Sequence, residues 1–418
     1  MHYENVSRID ANHINIKTPN MNITLFANEE IPFDKAGLEE IQNFAKLTDT
    51  LNELNKIKFF GDYTAKISKC ILTPDFHKGA GIPIGTVFNA EGFVVPQAVG
   101  NDIGCGMRLL TTDISYEEFK RLGPELDNKL RHIFFQGGRN IPLSSKQRVA
   151  IFIDGITGLF KYPHTNTGIW EYWDKNQQEI DVMKTHQLGQ IMTPNGIFDF
   201  SDYIKGSNQE YTYDDQIGSI GGGNHFTEIQ YVDEIIDGST AYQWGLRKGM
   251  ITIMVHTGSV GIGHYVGRHF TDLAKKYYPE TLRKPEHGFY PIPLNELGFN
   301  YLTAMGNAAN FAFANRLFLG LMAIKSLSET LGRKINTQLV YDAPHNLIWP
   351  TESEMLHRKG VCPAGGMSND PEFPNGHPVI IPGSMGNPLI RPPGTRAERV
   401  FMFSMSRGRK NFGSPDLT

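Results

Sequence analysis

Cysteine is scarce in this chain: three residues in 418, at positions 70, 105 and 362. A sparse, odd count in a large chain argues against a disulfide framework. A conspicuous cysteine then reads as a ligand or as a small buried apolar residue, and burial is the reading for Cys70 and Cys362. Long apolar runs are also missing. No stretch reaches the ~18 residues that a membrane helix needs, so no membrane span is expected. The opening residues, Met1 to Asn15, are polar and lack the apolar centre of a secretory signal, so a cytoplasmic protein is expected. Positive charge is not in excess either. Forty Lys and Arg against 44 Asp and Glu give a net charge of −4, which excludes a wholly basic nucleic-acid binder but permits a locally basic groove. There is no internal repeat, low-complexity tract or long linker.

What the chain does have is glycine, 43 residues, gathered in clusters. Short β-branched or apolar runs precede turns rich in Gly or Pro at five places. Lys69 to Leu72 leads into Thr73-Pro-Asp-Phe-His-Lys-Gly79, and Phe93 to Val95 leads toward Val99-Gly-Asn-Asp-Ile-Gly-Cys-Gly-Met107. Ile251 to Val255 runs into His256-Thr-Gly-Ser259. Leu339 to Tyr341 precedes Asp342-Ala-Pro-His-Asn346, and Val379 to Ile381 precedes Pro382-Gly-Ser-Met-Gly386. Strand ends are rigid and glycine lets the backbone turn tightly beside a ligand, so several such ends converging would make a site. Helical spacing of apolar residues predicts helices over 31–47, 263–276 and 307–331, the last a core helix. Residues 160–215 read as irregular. The expected fold is of the α+β class, a single mixed α/β domain over 1–418 with a metal site at strand ends.

Asp102 and Cys105 stand three apart around Gly104, a spacing that aims a carboxylate and a thiolate at one point. Alone, the pair reads more readily as a capping Asp and a buried Cys. His225 follows three glycines, with Asn224 and Glu228 beside it as hydrogen-bonding groups. His256 ends the clearest strand, and His345 follows Pro344. One such histidine is more often structural. Three of them at strand ends point to a shared metal site, since neutral imidazole suits Mn, Zn, Fe or Co. Five ligands exceed one tetrahedral shell, so the set has room for two ions, an arrangement suited to phosphoryl chemistry. Pro382 to Gly386 and His357-Arg-Lys-Gly360 offer backbone N–H groups, a hydroxyl and cations for phosphate. Arg391, Arg396, Arg399, Arg407, Arg409 and Lys410 make the last residues locally basic, which suits RNA phosphate or a solvated tail.

Taken in order, Asp75-Phe-His-Lys-Gly79, Val99 to Met107, Gly221-Gly-Gly-Asn-His-Phe-Thr-Glu228, His256-Thr-Gly-Ser259, His345-Asn346, Arg358-Lys-Gly360 and Pro382-Gly-Ser-Met-Gly386 resemble the RtcB family of RNA-splicing ligases, over roughly residues 55 to 410. The resemblance implies an enzyme that joins an RNA 2',3'-cyclic phosphate or 3'-phosphate end to a 5'-hydroxyl end with GTP and manganese. A histidine is guanylylated, GMP activates the RNA 3'-phosphate, and the 5'-hydroxyl displaces it. Asp102, Cys105, His225, His256 and His345 would hold two Mn ions, with Zn or Co as alternatives. Asn224 would contact the GTP phosphates and Glu228 the guanine. Pro382, Gly383, Ser384 and Met385 would line the nucleotide pocket, with Arg409 a further nucleotide contact. RNA ends, including tRNA halves, and GTP are the implied partners.

Three departures from the family pattern stand out. The nucleophilic histidine belongs to a Ser-His-Gly-Ala-Gly-Arg-like motif, and here the stretch reads Ser404-Met-Ser-Arg-Gly-Arg409, placing Met405 at the histidine's position. A thioether cannot form a stable phosphoramidate with GMP. Family members continue for several dozen residues to a lysine that contacts guanine, so this chain is expected to be short at its C-terminus. The arginine of His-Ser-Gly-Ser-Arg-Gly is Val260 here. Three readings follow: the GTP-dependent RNA ligase, a GTP-independent metal-dependent phosphoesterase acting on RNA ends, and a non-catalytic RNA- or nucleotide-binding paralogue.

Overall fold

The most apolar stretch of the sequence becomes one helix, Glu296–Leu331, buried along most of its 36 residues. A helix that is apolar on every side belongs in a core. Asn295 caps its start by accepting from the N–H groups of Leu297 and Gly298, and Gly332, left-handed at φ 65°, ends it. The computed structural model describes residues 5–28, 34–201, 211–213, 216–352, 354–365, 371–382 and 403–413. Among these residues no helix is long and apolar enough to cross a membrane.

There are two large sheets, and the central one packs against this helix. The central one has five strands in the order Thr337–Pro344, Gly106–Ser115, Met250–Thr257, Phe226–Ile235 and Phe403–Gly413, every neighbour antiparallel. Side chains alternate between its faces. Leu110, Ile229, Ile253 and Val255 join the main core with the long helix, whereas Met107, Leu109, Phe226, Val232 and Met254 form a smaller core on the opposite side.

The second sheet has seven strands, in the order Val6–Arg8, His13–Lys17, Asn22–Phe26, Lys66–His77, Ile84–Glu91, Met355–Lys359 and Asn346–Pro350. The pairing of Asn22–Phe26 with Lys66–His77 is its parallel one. Strand Thr337–Pro344 lies in the central sheet and Asn346–Pro350 in the second, so His345 is the junction between them. Largely antiparallel sheets with helices packed against them form the mixed α/β architecture expected.

Some local expectations need correction. No strand forms over 379–381; Pro378 and Pro382 flank the run and remove N–H donors from a ladder. The first predicted helix spans Lys35–Ala45, and after Lys46 a second helix that was not expected follows over Leu47–Lys56; the predicted start at 31–33 lies outside the described residues. Residues 160–215 are less irregular than expected: Asp174 caps a helix over Lys175–Met183, while 202–210, 214 and 215 are outside the described residues. The helix after His256 spans Val260–Tyr277, and the long helix begins eleven residues before its predicted start.

Candidate metal centre

Sheet register brings the predicted donors together. Strand Gly106–Ser115 starts directly after Cys105, and Phe226–Ile235 starts directly after His225. Met250–Thr257 carries His256 as its penultimate residue, and Thr337–Pro344 stops directly before His345. All four meet at one end of the sheet because the strands alternate in direction: Phe226 pairs with His256, His256 with Met107, and both Thr257 and Pro344 with Gly106. The expected order of strand then turn holds at His256 and His345, and the short strand Phe93–Val94 precedes the Asp102–Cys105 loop as expected. Cys105 and His225 also stand directly before strands that the sequence did not suggest.

The donors face one another. Cys105 Sγ lies 3.3 Å from His225 Nε2 and 3.4 Å from His256 Nε2. His256 Nε2 is 3.4 Å from His345 Nε2, and His225 Nε2 is 2.9 Å from a carboxylate oxygen of Asp102. Two three-donor sets result, Asp102–Cys105–His225 and Cys105–His256–His345, each with its ligand atoms within 4.8 Å of one another. Cys105 belongs to both. Thiolate, imidazole and carboxylate together suit a borderline divalent ion. The orientation of His256 agrees: its Nδ1–H donates to the Asn224 carbonyl at 3.1 Å, which leaves the Nε2 lone pair directed at the cluster. The residues present therefore fit a metal centre, with room in the donor set for two ions.

Charge states support the same use. Burial pushes the Asp102 carboxyl up, but the hydrogen bond and charge of His225 outweigh it and hold the group well below the usual carboxylate range. Burial, followed by the neighbouring charge of His225, pulls His256 down to about 4. Burial and then His256 lower His345 well below its ordinary value. These imidazoles are neutral and ready to ligate near pH 7. The Cys105 thiol goes the other way, raised well above its ordinary value by burial and by Asp102. A divalent ion must therefore displace the thiol proton. Affinity should rise by about tenfold per pH unit between pH 6 and 8, and His256 should compete for protons only near pH 4. Calorimetry in buffers of different ionisation heat should show about one proton released per chain. A pH-independent affinity would contradict this assignment.

The loops holding the donors are fixed from several sides. Gly104 has φ +69°, and a Cβ there would lie 2.8 Å from the Ala309 backbone, so glycine lets the Asp102–Cys105 loop lie directly on the long helix. A Cβ on Gly258 would fall 2.4 Å from Asp102 Oδ1. The His345 N–H donates to the Cys105 carbonyl at 2.6 Å, and Asn346 Nδ2 donates to the Asp102 carbonyl at 3.1 Å. Ser259 Oγ donates to the Ile103 carbonyl at 2.6 Å. Lys359, nearly buried, donates to the Val99 carbonyl at 2.8 Å; burial lowers its pKa and Asp102 opposes that shift.

The long helix contributes polar residues that sequence reasoning assigned no role. Asn315 Nδ2 donates to the carbonyls of Ser219 and Gly258, at 2.9 and 3.1 Å. Arg316 donates to Asp342 at 2.8 Å, to the Gly104 carbonyl at 2.7 Å and to the Thr257 carbonyl at 3.1 Å. Asp342 also accepts from Arg108 at 3.1 Å, and Asp181 lies 4.0 Å from the same arginine. All four charged side chains are buried. The available signal was an Asn-Arg pair inside a mostly apolar helix, where an unpaired charge would be costly.

The residues expected at the nucleotide are more scattered. Asn224 is exposed at the rim of the cluster. Glu228 is buried and accepts from Gln230 Nε2 at 2.7 Å, on the strand face shared with Phe226 and the smaller core. Pro382 is half-buried, and Gly383, Ser384 and Met385 lie outside the described residues. Met405 and Arg409 are on the edge strand Phe403–Gly413. Met405 pairs with Val232, six residues along the neighbouring strand from Phe226, or about 20 Å from the metal end at ~3.3 Å per residue. Arg409 falls in the irregular stretch between the Gln230–Arg407 and Glu228–Asn411 pairs.

A family model described as tRNA-splicing ligase RtcB matches residues 63–408. The chain is 33% identical over 346 residues to a tRNA-splicing ligase RtcB of Thermococcus kodakarensis, covering 76% of this chain and 67% of that protein. It is 33% identical over 344 residues to the protein of the same name from Nanoarchaeum equitans, covering 77% and 68%. An RNA-splicing ligase RtcB homolog 1 of Entamoeba dispar is 32% identical over 372 residues, covering 82% and 63%. On the breadth of these matches, the chain belongs to the RtcB family.

Proposed function

We propose that this chain is an RNA ligase that joins RNA 3'-phosphate or 2',3'-cyclic phosphate ends to 5'-hydroxyl ends, using GTP and two manganese ions held by Asp102, Cys105, His225, His256 and His345. The observation that carries the reading is the pair of three-donor sets sharing Cys105. Bound there, divalent ions would supply Lewis acidity toward a phosphoryl group. The protein's part is positioning. Asp102 and Cys105 offset only part of the charge of two divalent ions, so the centre stays net positive and favours an RNA end phosphate. In this reading Asn224, exposed at the rim, would contact the GTP phosphates, and Glu228 would contact the guanine. tRNA halves in the cytoplasm are the substrate and setting that this reading implies.

Met405 makes the guanylylation step the point to test. Lys410 is one other candidate nucleophile and Cys362 another. Burial pushes the Cys362 thiol up to about 12, which makes it a poor nucleophile near neutrality. The absence of a histidine from the Ser404 to Arg409 motif favours, as second reading, a GTP-independent metal phosphoesterase that opens cyclic phosphate ends. Incubation of manganese-loaded protein with radiolabelled GTP, followed by a denaturing gel, separates them. Acid-labile label on the protein is the expected result for the ligase. No label, with metal bound and cyclic phosphate ends opened, would replace ligation by the second reading.

A further inference from the structure

We infer that Arg316 is the positioning residue that holds the two donor sets on one shared thiolate, and so decides whether the centre takes one ion or two. The inference rests on the two-ion reading above. Its basis is where the guanidinium bonds end. One nitrogen donates to the Gly104 carbonyl, in the loop between Asp102 and Cys105, and to the Thr257 carbonyl, directly after His256. Another donates to Asp342, three residues before His345. A single planar fork thus ties together three chain segments that are remote in sequence, and each carries a donor of the cluster. His225 is governed separately, through Asn315, which holds Gly218 and Ser219 upstream of it.

The geometry leaves little slack. Cys105 must face His225 at 3.3 Å and His256 at 3.4 Å at once. A small rotation of the Gly104 peptide would favour one histidine over the other. Arg316 fixes that peptide and the Thr257 peptide with the same nitrogen, so their relative orientation is set by one group. A lysine cannot copy this, because an ammonium on a flexible stem lacks the planar fork.

The test is an anaerobic cobalt(II) titration of the full chain, followed by thiolate-to-cobalt charge transfer and by bound metal per chain. Two variants are compared with wild type: Arg316→Lys, which keeps the charge opposite Asp342, and the double variant Arg316→Met with Asp342→Asn, which removes one charge of each sign. Wild type should bind two ions, with charge transfer growing in both steps. In both variants the second ion should bind at least about tenfold more weakly, in line with losses seen when groups that orient ligands are removed, and its charge-transfer step should vanish. A folded variant with wild-type stoichiometry and spectrum would overturn the inference. Wild type binding one ion or none would overturn both this inference and the two-ion reading. Two ions bound without RNA joining would remove the ligase reading and leave the role of Arg316 intact.

Discussion

Cys105→Ser protein is expected to fold and to lose most of its divalent metal. Cys105 is the donor common to both sets, so one substitution reduces each from three ligands to two. Removing groups that merely orient ligands costs about 10–100-fold in metal affinity, and loss of a shared ligand should exceed roughly 100-fold by the same scale. Serine keeps the size of the buried side chain and cannot supply a thiolate. The control is Cys362→Ser, which belongs to neither set and should bind metal like wild type. Metal content after dialysis, measured beside thermal melting, distinguishes a lost ligand from a lost fold. Any GTP-dependent RNA joining should disappear with the metal in Cys105→Ser. Joining that persists without Cys105 would break the link between the cluster and the activity.

Asp342→Ala should produce the largest loss of stability. Asp342 is fully buried and takes hydrogen bonds from two buried arginines, Arg108 at 3.1 Å and Arg316 at 2.8 Å. Removing one partner of a buried ion pair leaves an uncompensated charge and costs about 3–5 kcal/mol. Here two guanidiniums lose a partner, with Asp181 the remaining carboxylate near Arg108, so the upper end of that range is expected. Thermal melting and soluble yield should both fall sharply. Asp342→Asn, which keeps hydrogen-bond acceptance, should lose less. An Asp342→Ala protein melting like wild type would show that the four charges are not coupled as their distances indicate.

The candidate site was legible where chemistry concentrates in short motifs. Asp102 and Cys105 around Gly104, and His225 after three glycines, could be picked out by residue type and spacing. Their convergence could not be read locally, because it depends on antiparallel register between strands more than a hundred residues apart, as in Met107 with His256. The strand after His225 escaped notice because Thr227, Glu228 and Gln230 are polar yet buried, against the usual alternation of a half-exposed strand. The helix over Lys175–Met183 was missed because its sequence is mostly polar and its main cue is the Asp174 cap. The supporting charges were hidden for a different reason. Arg108 and Asp342 are 234 residues apart, and nothing in either neighbourhood announces the other.

The long helix also constrains how this protein can change over generations. Asn307 and Asn310 bond the end of the helix Ser145–Asp154 and the segment 191–198, and Asn315 and Arg316 bond the segments that carry the metal donors. These contacts lie on one rigid rod, so their angular order is fixed by the count of residues between them. Inserting or deleting one residue between Asn310 and Asn315 would swing everything downstream by about 100°, turning Arg316 away from Gly104 and Asp342 although no contacting residue had been altered. Lineages of this protein should therefore exchange side chains along the helix far more readily than they alter its length.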